Sequence, residues 1–354
     1  MKQATEALLR EHLKQYPEMQ LQDGIKLLYQ NEFGGGHLIP DPAVSLRRLQ
    51  AECAGLTGSS RDVRVEPIGN GRCRLYLEGL AQSGVPLERV NRMFVASAGE
   101  RSGSVERFEE KCEILRDMCR QDELPWAISE VEAYLSEYKV KGYPPVSHSE
   151  QYRQNYAPAY RVMEEKYCRY WKIFAAIEEK LAQKERVTIA LEGNSGAGKS
   201  TLAGILQALY DCNVFHMDDF FLPIAEKTPE RLAQPGGNVA YERFFDEVLI
   251  PLQRGEAFSY RPFECWRQAL GEEISVTPKP ITLVEGVYSA HPQFQDPYDL
   301  KIFLQVAPEE QRRRIRQRNG KEMLERFVKE WIPLENEYFS AFHISEHCDI
   351  IFEA

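Results

Sequence analysis

The stretch Val187-Thr-Ile-Ala-Leu-Glu-Gly-Asn-Ser-Gly-Ala-Gly-Lys-Ser-Thr201 constrains the fold more than any other part of this 354-residue chain. A β-prone run, Val187 to Leu191, feeds the loop Gly193, Asn194, Ser195, Gly196, Ala197, Gly198, Lys199, Ser200. An amphipathic run from Thr201 to Tyr210 follows at helical spacing. This is the order of a strand, a G-x-x-x-x-G-K-[ST] loop and a helix. Gly193, Gly196 and Gly198 let the backbone take positive φ, so that successive N–H groups turn toward one anion. The helix start adds the positive end of its dipole. The stretch from Gly193 to Thr201 is therefore expected to cradle the phosphates of a nucleoside triphosphate, with ATP and Mg2+ the expected nucleotide and ion. In that arrangement Lys199 reaches the β- and γ-phosphates as a mobile charge, and the Ser200 hydroxyl ligates the metal.

Downstream of the loop, four further apolar runs read as strands: Asn213 to Met217, Ile281 to Glu285, Leu300 to Val306 and Cys348 to Phe352. Five strands with helical segments between them predict an α/β fold around a five-stranded, mostly parallel sheet covered on both faces. Ligands of such sheets sit outside the carboxyl ends of the strands. The first of these runs leads into Asp218-Asp219, and the second ends in Glu285. One carboxylate there suits the proton of an attacking hydroxyl and another suits Mg2+, commonly through water. Asp218 is the candidate for the first role, Glu285 for the second, and Asp219 reads as a capping acid. After Val306, Pro308 to Arg318 opens a helix on which Arg314 and Arg318 share one face and Arg312 and Arg316 another. Its placement suits a lid that brings guanidinium groups over a transferring phosphoryl.

Residues 1–150 read as a mainly α-helical domain, with helices expected over 4–14, 20–31, 43–55, 86–98, 104–119 and 127–138. A short hairpin joins Asp62–Glu66 to Arg72–Leu77 through Ile68-Gly-Asn-Gly71. The run Gly34-Gly-Gly-His37 reads as a helix stop rather than a ligand loop. The stripe Phe108, Cys112, Leu115 and Cys119 reads as core. A break rich in Pro and Gly near Gly142–Pro145 places the domain boundary at about 142–160. Residues 151–184 are expected to connect the domains as a helical segment, the tyrosines 152, 156 and 160 packing between them, and residues 185–354 to form the phosphate-loop domain. No chemistry is legible in the first 150 residues.

A net charge of −10 argues against a broad nucleic-acid or anionic-membrane surface. The eight cysteines are scattered without a C-x-x-C pair. That pattern fits free thiols in a reducing cytoplasm rather than a zinc site or a disulfide framework. No apolar run approaches the roughly 20 residues of a membrane helix, and no signal peptide is legible. The expected partners are ATP and a small-molecule substrate, without nucleic acid or membrane; the oligomeric state is left open, a homo-oligomer included.

The C-terminal half, about residues 185–354, resembles the uridine kinase and phosphoribulokinase group of P-loop kinases. The resemblance is carried by Gly193–Thr201, Asp218-Asp-Phe-Phe221, Phe258-Ser-Tyr-Arg261, Glu285-Gly286-Val287 and the arginine-rich lid. It implies ATP- and Mg2+-dependent phosphorylation of a small-molecule hydroxyl, with a pyrimidine ribonucleoside such as uridine or cytidine as the acceptor. Asp218 then matches the general base, Glu285 the acid near Mg2+, and Arg314 and Arg318 the lid positions; Tyr260 and Arg261 fall on the substrate side. Two departures concern the acceptor. Uridine kinases tend to read Asn-Phe-Asp-His-Pro where this chain has Asn238-Val-Ala240-Tyr-Glu, with alanine in place of the acid that holds the ribose hydroxyls. Their base-reading Tyr-Asp with a following histidine is here Tyr260-Arg-Pro-Phe-Glu-Cys-Trp266. A pantothenate-, glycerate- or sugar-type acceptor paired with Arg261 is the alternative within the class. A nucleotide-dependent regulatory protein, whose P-loop domain controls the N-terminal half, is the alternative outside it.

Overall fold

In a computed structural model, the described residues are 1–56, 63–100 and 103–354, and they divide into two compact units, Met1–Ala175 and Ala176–Ala354. Among them no helix is long and apolar enough to cross a membrane.

The first unit packs the helices Lys2–Gln15, Leu21–Phe33, Pro42–Ala54, Leu87–Glu100, Val105–Arg120 and Ile128–Val140. Their starts follow local chemistry. Asp41 accepts from the amides of Ala43 and Val44, with Pro42 in the first turn, and Ser104 accepts from Arg107. Gly34, at φ +70, ends the second helix, which is the stop read from the glycine run. Phe108, Cys112, Leu115 and Cys119 are all core.

The same unit holds an antiparallel sheet of β1 (Val65–Gly69), β2 (Arg72–Tyr76) and β3 (Tyr160–Glu164). Asp62, placed in the expected hairpin, lies outside the described residues. β3 corrects the expected connecting helix over 151–184. That segment is a short helix Glu150–Tyr156, a strand, and two helices, Glu165–Arg169 and Trp171–Leu181. The contact break falls at 175/176 instead of 142–160, because β3 returns to pair with β2 and belongs to the first unit. Tyr152 and Tyr156 pack on Tyr16 at ring distances of 5.2 and 5.0 Å. Tyr152 belongs to the core of the first unit and Tyr156 packs against that core, where the sequence suggested packing between domains.

The second unit is built on β4 (Val187–Gly193), β5 (Cys212–His216), β10 (Ile281–Glu285), β11 (Leu300–Gln305) and β12 (Ile350–Glu353). The order β12-β11-β4-β10-β5 is parallel throughout, where the sequence suggested mostly parallel. β4 is central, and β10 is buried along its whole length, as a strand covered on both faces must be. The chain leaves β4 toward β5 and β10 on one side and later fills β11 and β12 on the other. The loop after β4 therefore opens at the point where the strand order reverses. Between β5 and β10 the short strands β6 (Phe258–Tyr260) and β9 (Ile274–Val276) pair, as do β7 (Phe263–Glu264) and β8 (Ala269–Leu270). After β11 come the lid helix Pro308–Arg326, a π-helical turn Phe327–Trp331 and a return helix Ile332–Ala341. The lid helix is broken at Gly320, with φ 81 and ψ 177, a conformation open essentially to glycine alone.

Candidate active site

Two glycines fix the site's frame. Gly193 ends β4 at φ +138, and a Cβ there would lie 2.1 Å from the carbonyl oxygen of Leu304 on β11. Gly286 follows Glu285 at φ +137, and its Cβ would lie 2.9 Å from that of Met217. Only a bare backbone allows the phosphate loop and the end of β10 to run this close to their neighbours. Gly196 and Gly198 also take positive φ, at 77 and 96, and the helix Lys199–Leu209 begins at once behind them.

Lys199 is buried and folds back over the loop, its Nζ donating to the carbonyls of Gly193 at 2.8 Å and Asn194 at 3.1 Å. Glu285 Oε1 accepts from Ser200 Oγ at 3.1 Å and from His216 Nδ1 at 2.6 Å. Burial pushes the Glu285 carboxyl up, but the His216 bond and the Lys199 charge outweigh it and hold the group below its ordinary value. The same bond raises His216, against its own burial. Ser200 and Glu285 thus present two hard oxygens together at the mouth of the loop, a donor set suited to Mg2+, which keeps several waters and few protein ligands.

Asp218 and Asp219 lie in the 3-10 turn Met217–Phe220 that follows β5. Asp218 reaches solvent, yet the groups crowded around it strip part of its hydration. This burial raises its proton affinity; Lys199 opposes the rise and Glu285 adds to it. Asp219 is raised as well, chiefly by burial, and accepts from Tyr260 Oη at 3.3 Å. Tyr260 stacks on Phe220 with ring centroids 5.6 Å apart. Its hydroxyl therefore faces Asp219, and β7 packs against the same turn. Arg261 is exposed, with Nε donating to the Gly271 carbonyl at 2.7 Å.

On the lid helix, Arg314 reaches the loop: Nη1 donates to the Gly196 carbonyl at 3.3 Å, while Nε pairs with Glu310 at 2.7 Å. Gln311 donates to the Ser195 carbonyl at 3.0 Å. Arg318 points outward, donating to Asn319 at 2.7 Å, although its charge still lowers Asp218. Lys199, Ser200, Glu285, Asp218 and Arg314 are thus gathered around the loop, with Arg318 exposed beyond them.

Four participants escaped the sequence reading. His216 sits opposite Glu285 in the β5–β10 register, and the strand-end rule that selected Glu285 reaches it too. Glu192 is fully buried below the loop and accepts from Gly193 N at 2.9 Å, Ala290 N at 3.0 Å and Tyr338 Oη at 3.0 Å. Burial raises it to about 7 against those donors. Glu335, on the return helix, grips Ser195, accepting from its amide at 3.0 Å and from its hydroxyl. Neither Glu335 nor Gln311 belongs to any local motif.

Around Ala240 the acids differ in what holds them. Ala240 is buried, Glu242 is paired by both Nη groups of Arg231 at 3.1 and 3.2 Å, and Asp246 is exposed.

This sheet order, with the glycine loop behind the central strand, defines a parallel α/β fold of the P-loop type. No protein-family model and no curated protein sequence matches the chain. Solved structures match about half of it. One, titled as a possible uridine kinase from Bacillus stearothermophilus, is 16% identical over 51% of this chain and 100% of its own, at a TM-score of 0.39. A Thermus thermophilus protein is 16% identical over 48% of this chain and 90% of its own, at 0.31. The YGR205w protein is 13% identical over 51% and 89%, at 0.34.

Proposed function

We propose that the C-terminal unit transfers the γ-phosphoryl group of ATP to the hydroxyl of a small molecule, with a pyrimidine ribonucleoside, uridine or cytidine, as the leading acceptor. The observation that carries this reading is the placement of Asp218 at the end of β5, beside Lys199 and the Ser200–Glu285 pair. A water-activating switch needs no such base on the acceptor side. In the proposed reaction the acceptor oxygen attacks the γ-phosphorus, the bond to the bridging oxygen of ADP breaks, and the acceptor's proton passes to Asp218. Lys199 leaves the carbonyls of Gly193 and Asn194 for the β- and γ-phosphates, and Arg314 neutralises charge as it develops on the transferring group. Mg2+, held by Ser200 and through water by Glu285, would supply further neutralisation of the phosphate oxygens. Arg318 joins Arg314 as the lid closes.

A second acceptor class is favoured by one specific arrangement. With Ala240 unable to bond ribose hydroxyls and Glu242 tied to Arg231, the exposed Arg261 suits an alcohol bearing a carboxylate or phosphate. Free cysteines throughout the described residues support a cytoplasmic setting. Every group that this reading uses lies within residues 185–354. A screen of nucleosides and small anionic alcohols with ATP and Mg2+ tests the proposal. Acceptor-dependent ADP release supports it, and turnover indifferent to every alcohol counts against it.

A further inference from the structure

The phosphate loop is held from outside at its first turn. Both carboxylate oxygens of Glu335 are spent on Ser195, one on the amide and one on the hydroxyl, and Glu335 is only 4% exposed. Three residues on, along the same face of the return helix, Tyr338 donates to Glu192, which holds the Gly193 amide. The carbonyls of Ser195 and Gly196 are meanwhile bonded by Gln311 and Arg314 of the lid helix. The Ser195–Gly196 turn is therefore the point where lid helix, return helix and loop meet.

With a nucleotide bound as proposed, this turn would lie at the terminal-phosphate end of the loop. The amides at the start of helix Lys199–Leu209 take the proximal phosphates, and the lysine reaches the β- and γ-phosphates. Lys199 Nζ reaches back to the carbonyls of Gly193 and Asn194, next to Ser195. A terminal phosphate drawn to Lys199 therefore arrives beside the Ser195 amide and hydroxyl. Those are the donors an anion would use, and Glu335 already has them. Two anions cannot share one pair of donors in a buried site without strong repulsion. Burial raises the proton affinity of Glu335, which the Ser195 bonds and the Lys199 charge oppose and the Asp218 charge reinforces.

We propose that Glu335 holds Ser195 in place of the terminal phosphate of a nucleoside triphosphate, so that a triphosphate must displace Glu335 and a diphosphate need not. Glu335 is then a specificity-determining residue, tuning the loop's preference between ATP and ADP. It makes the ligand-free loop rigid and weakens the hold on the triphosphate, and it links loop occupancy to the helix that follows the lid. The proposal rests on the reading of the loop as a nucleoside-triphosphate site.

The test is nucleotide affinity by calorimetry, without acceptor, for the wild type and Glu335→Gln. The glutamine keeps the length and an oxygen for the Ser195 amide but loses the charge. The expected result is ATP binding tightened by roughly tenfold or more, the scale of one removed like-charge contact, with ADP altered by less than about twofold. Equal changes for both nucleotides, or none, would overturn the proposal and assign Glu335 a purely structural role. Wild-type protein that binds neither nucleotide would remove the P-loop reading itself, and the proposal with it. A crystal structure of the wild type with a non-hydrolysable ATP analogue needs no variant. It should place a γ-phosphate oxygen on the Ser195 amide and Glu335 withdrawn; Glu335 still on Ser195 beside a bound γ-phosphate sinks the idea.

Discussion

Replacing Gly193 by alanine should damage the second unit far more than replacing Gly198, although both are loop glycines at positive φ. At Gly198 a Cβ meets nothing within 4 Å, so Gly198→Ala costs only backbone strain at φ +96, about 1–3 kcal/mol. At Gly193 the same strain applies at φ +138, and the Cβ also lands 2.1 Å from Leu304 O and 2.8 Å from Leu304 N. Both are backbone atoms of β11, paired with β4 in the register Leu304↔Gly193, and neither can swing aside as a side chain would. Relief requires opening the end of that ladder, which forfeits about 0.5–1.5 kcal/mol for each hydrogen bond lost, besides packing. The sum is about 4 kcal/mol or more, in the range that marks a specific steric mechanism. Because the chain has two compact units, a single global melt would blend their transitions. Hydrogen exchange of the β4 and β11 amides isolates the relevant one. Gly193→Ala should raise exchange there several hundredfold or more, against roughly tenfold for Gly198→Ala. Equal effects at the two positions would refute the close-approach argument.

Lys199→Ala should abolish turnover while the protein stays folded by circular dichroism, since the ammonium's bonds to two loop carbonyls are replaceable by water. Asp218→Asn should keep ATP binding but lower kcat by about a hundredfold or more, the range for a general base. Asp219→Asn should cost far less, because Asp219 is engaged with Tyr260; equal losses would leave the base unassigned. Uridine and 2′-deoxyuridine should be discriminated weakly or both refused, because Ala240 offers no acceptor and Glu242 is already paired with Arg231. A preference for uridine of roughly a thousandfold, the scale of a site built to bond that hydroxyl, would contradict this.

The second unit was legible because its signals are local. The loop glycines, the apolar strands and the acids at strand ends each sit within a few residues of one another, and the sheet follows from them. β3 was not legible. Tyr160-Arg-Val-Met-Glu164 carries no strand alternation, and it becomes a strand because β2 needs a second partner. Its charges are accommodated by tertiary pairing: Arg161 binds Glu52 at 2.7 and 3.1 Å, and Arg72 lies 3.5 Å from Glu164. The Pro- and Gly-rich break before it therefore looked like a domain boundary although the chain had still to return. His216 was within reach of sequence logic through its register with Glu285. Glu335 was not, because it lies 140 residues from the serine it holds.

The central claim is phosphoryl transfer to an alcohol with Asp218 taking the proton. The direct measurement follows γ-labelled ATP with Mg2+ and a mixture of nucleosides and anionic alcohols, and asks whether label leaves as phosphate ester or as inorganic phosphate. Label is expected in an acceptor ester, with ester formation by Asp218→Asn lower by about a hundredfold or more at unchanged ATP affinity. Label found only in inorganic phosphate, at a rate that no acceptor changes and Asp218→Asn leaves intact, would contradict it and favour a nucleotide-dependent switch.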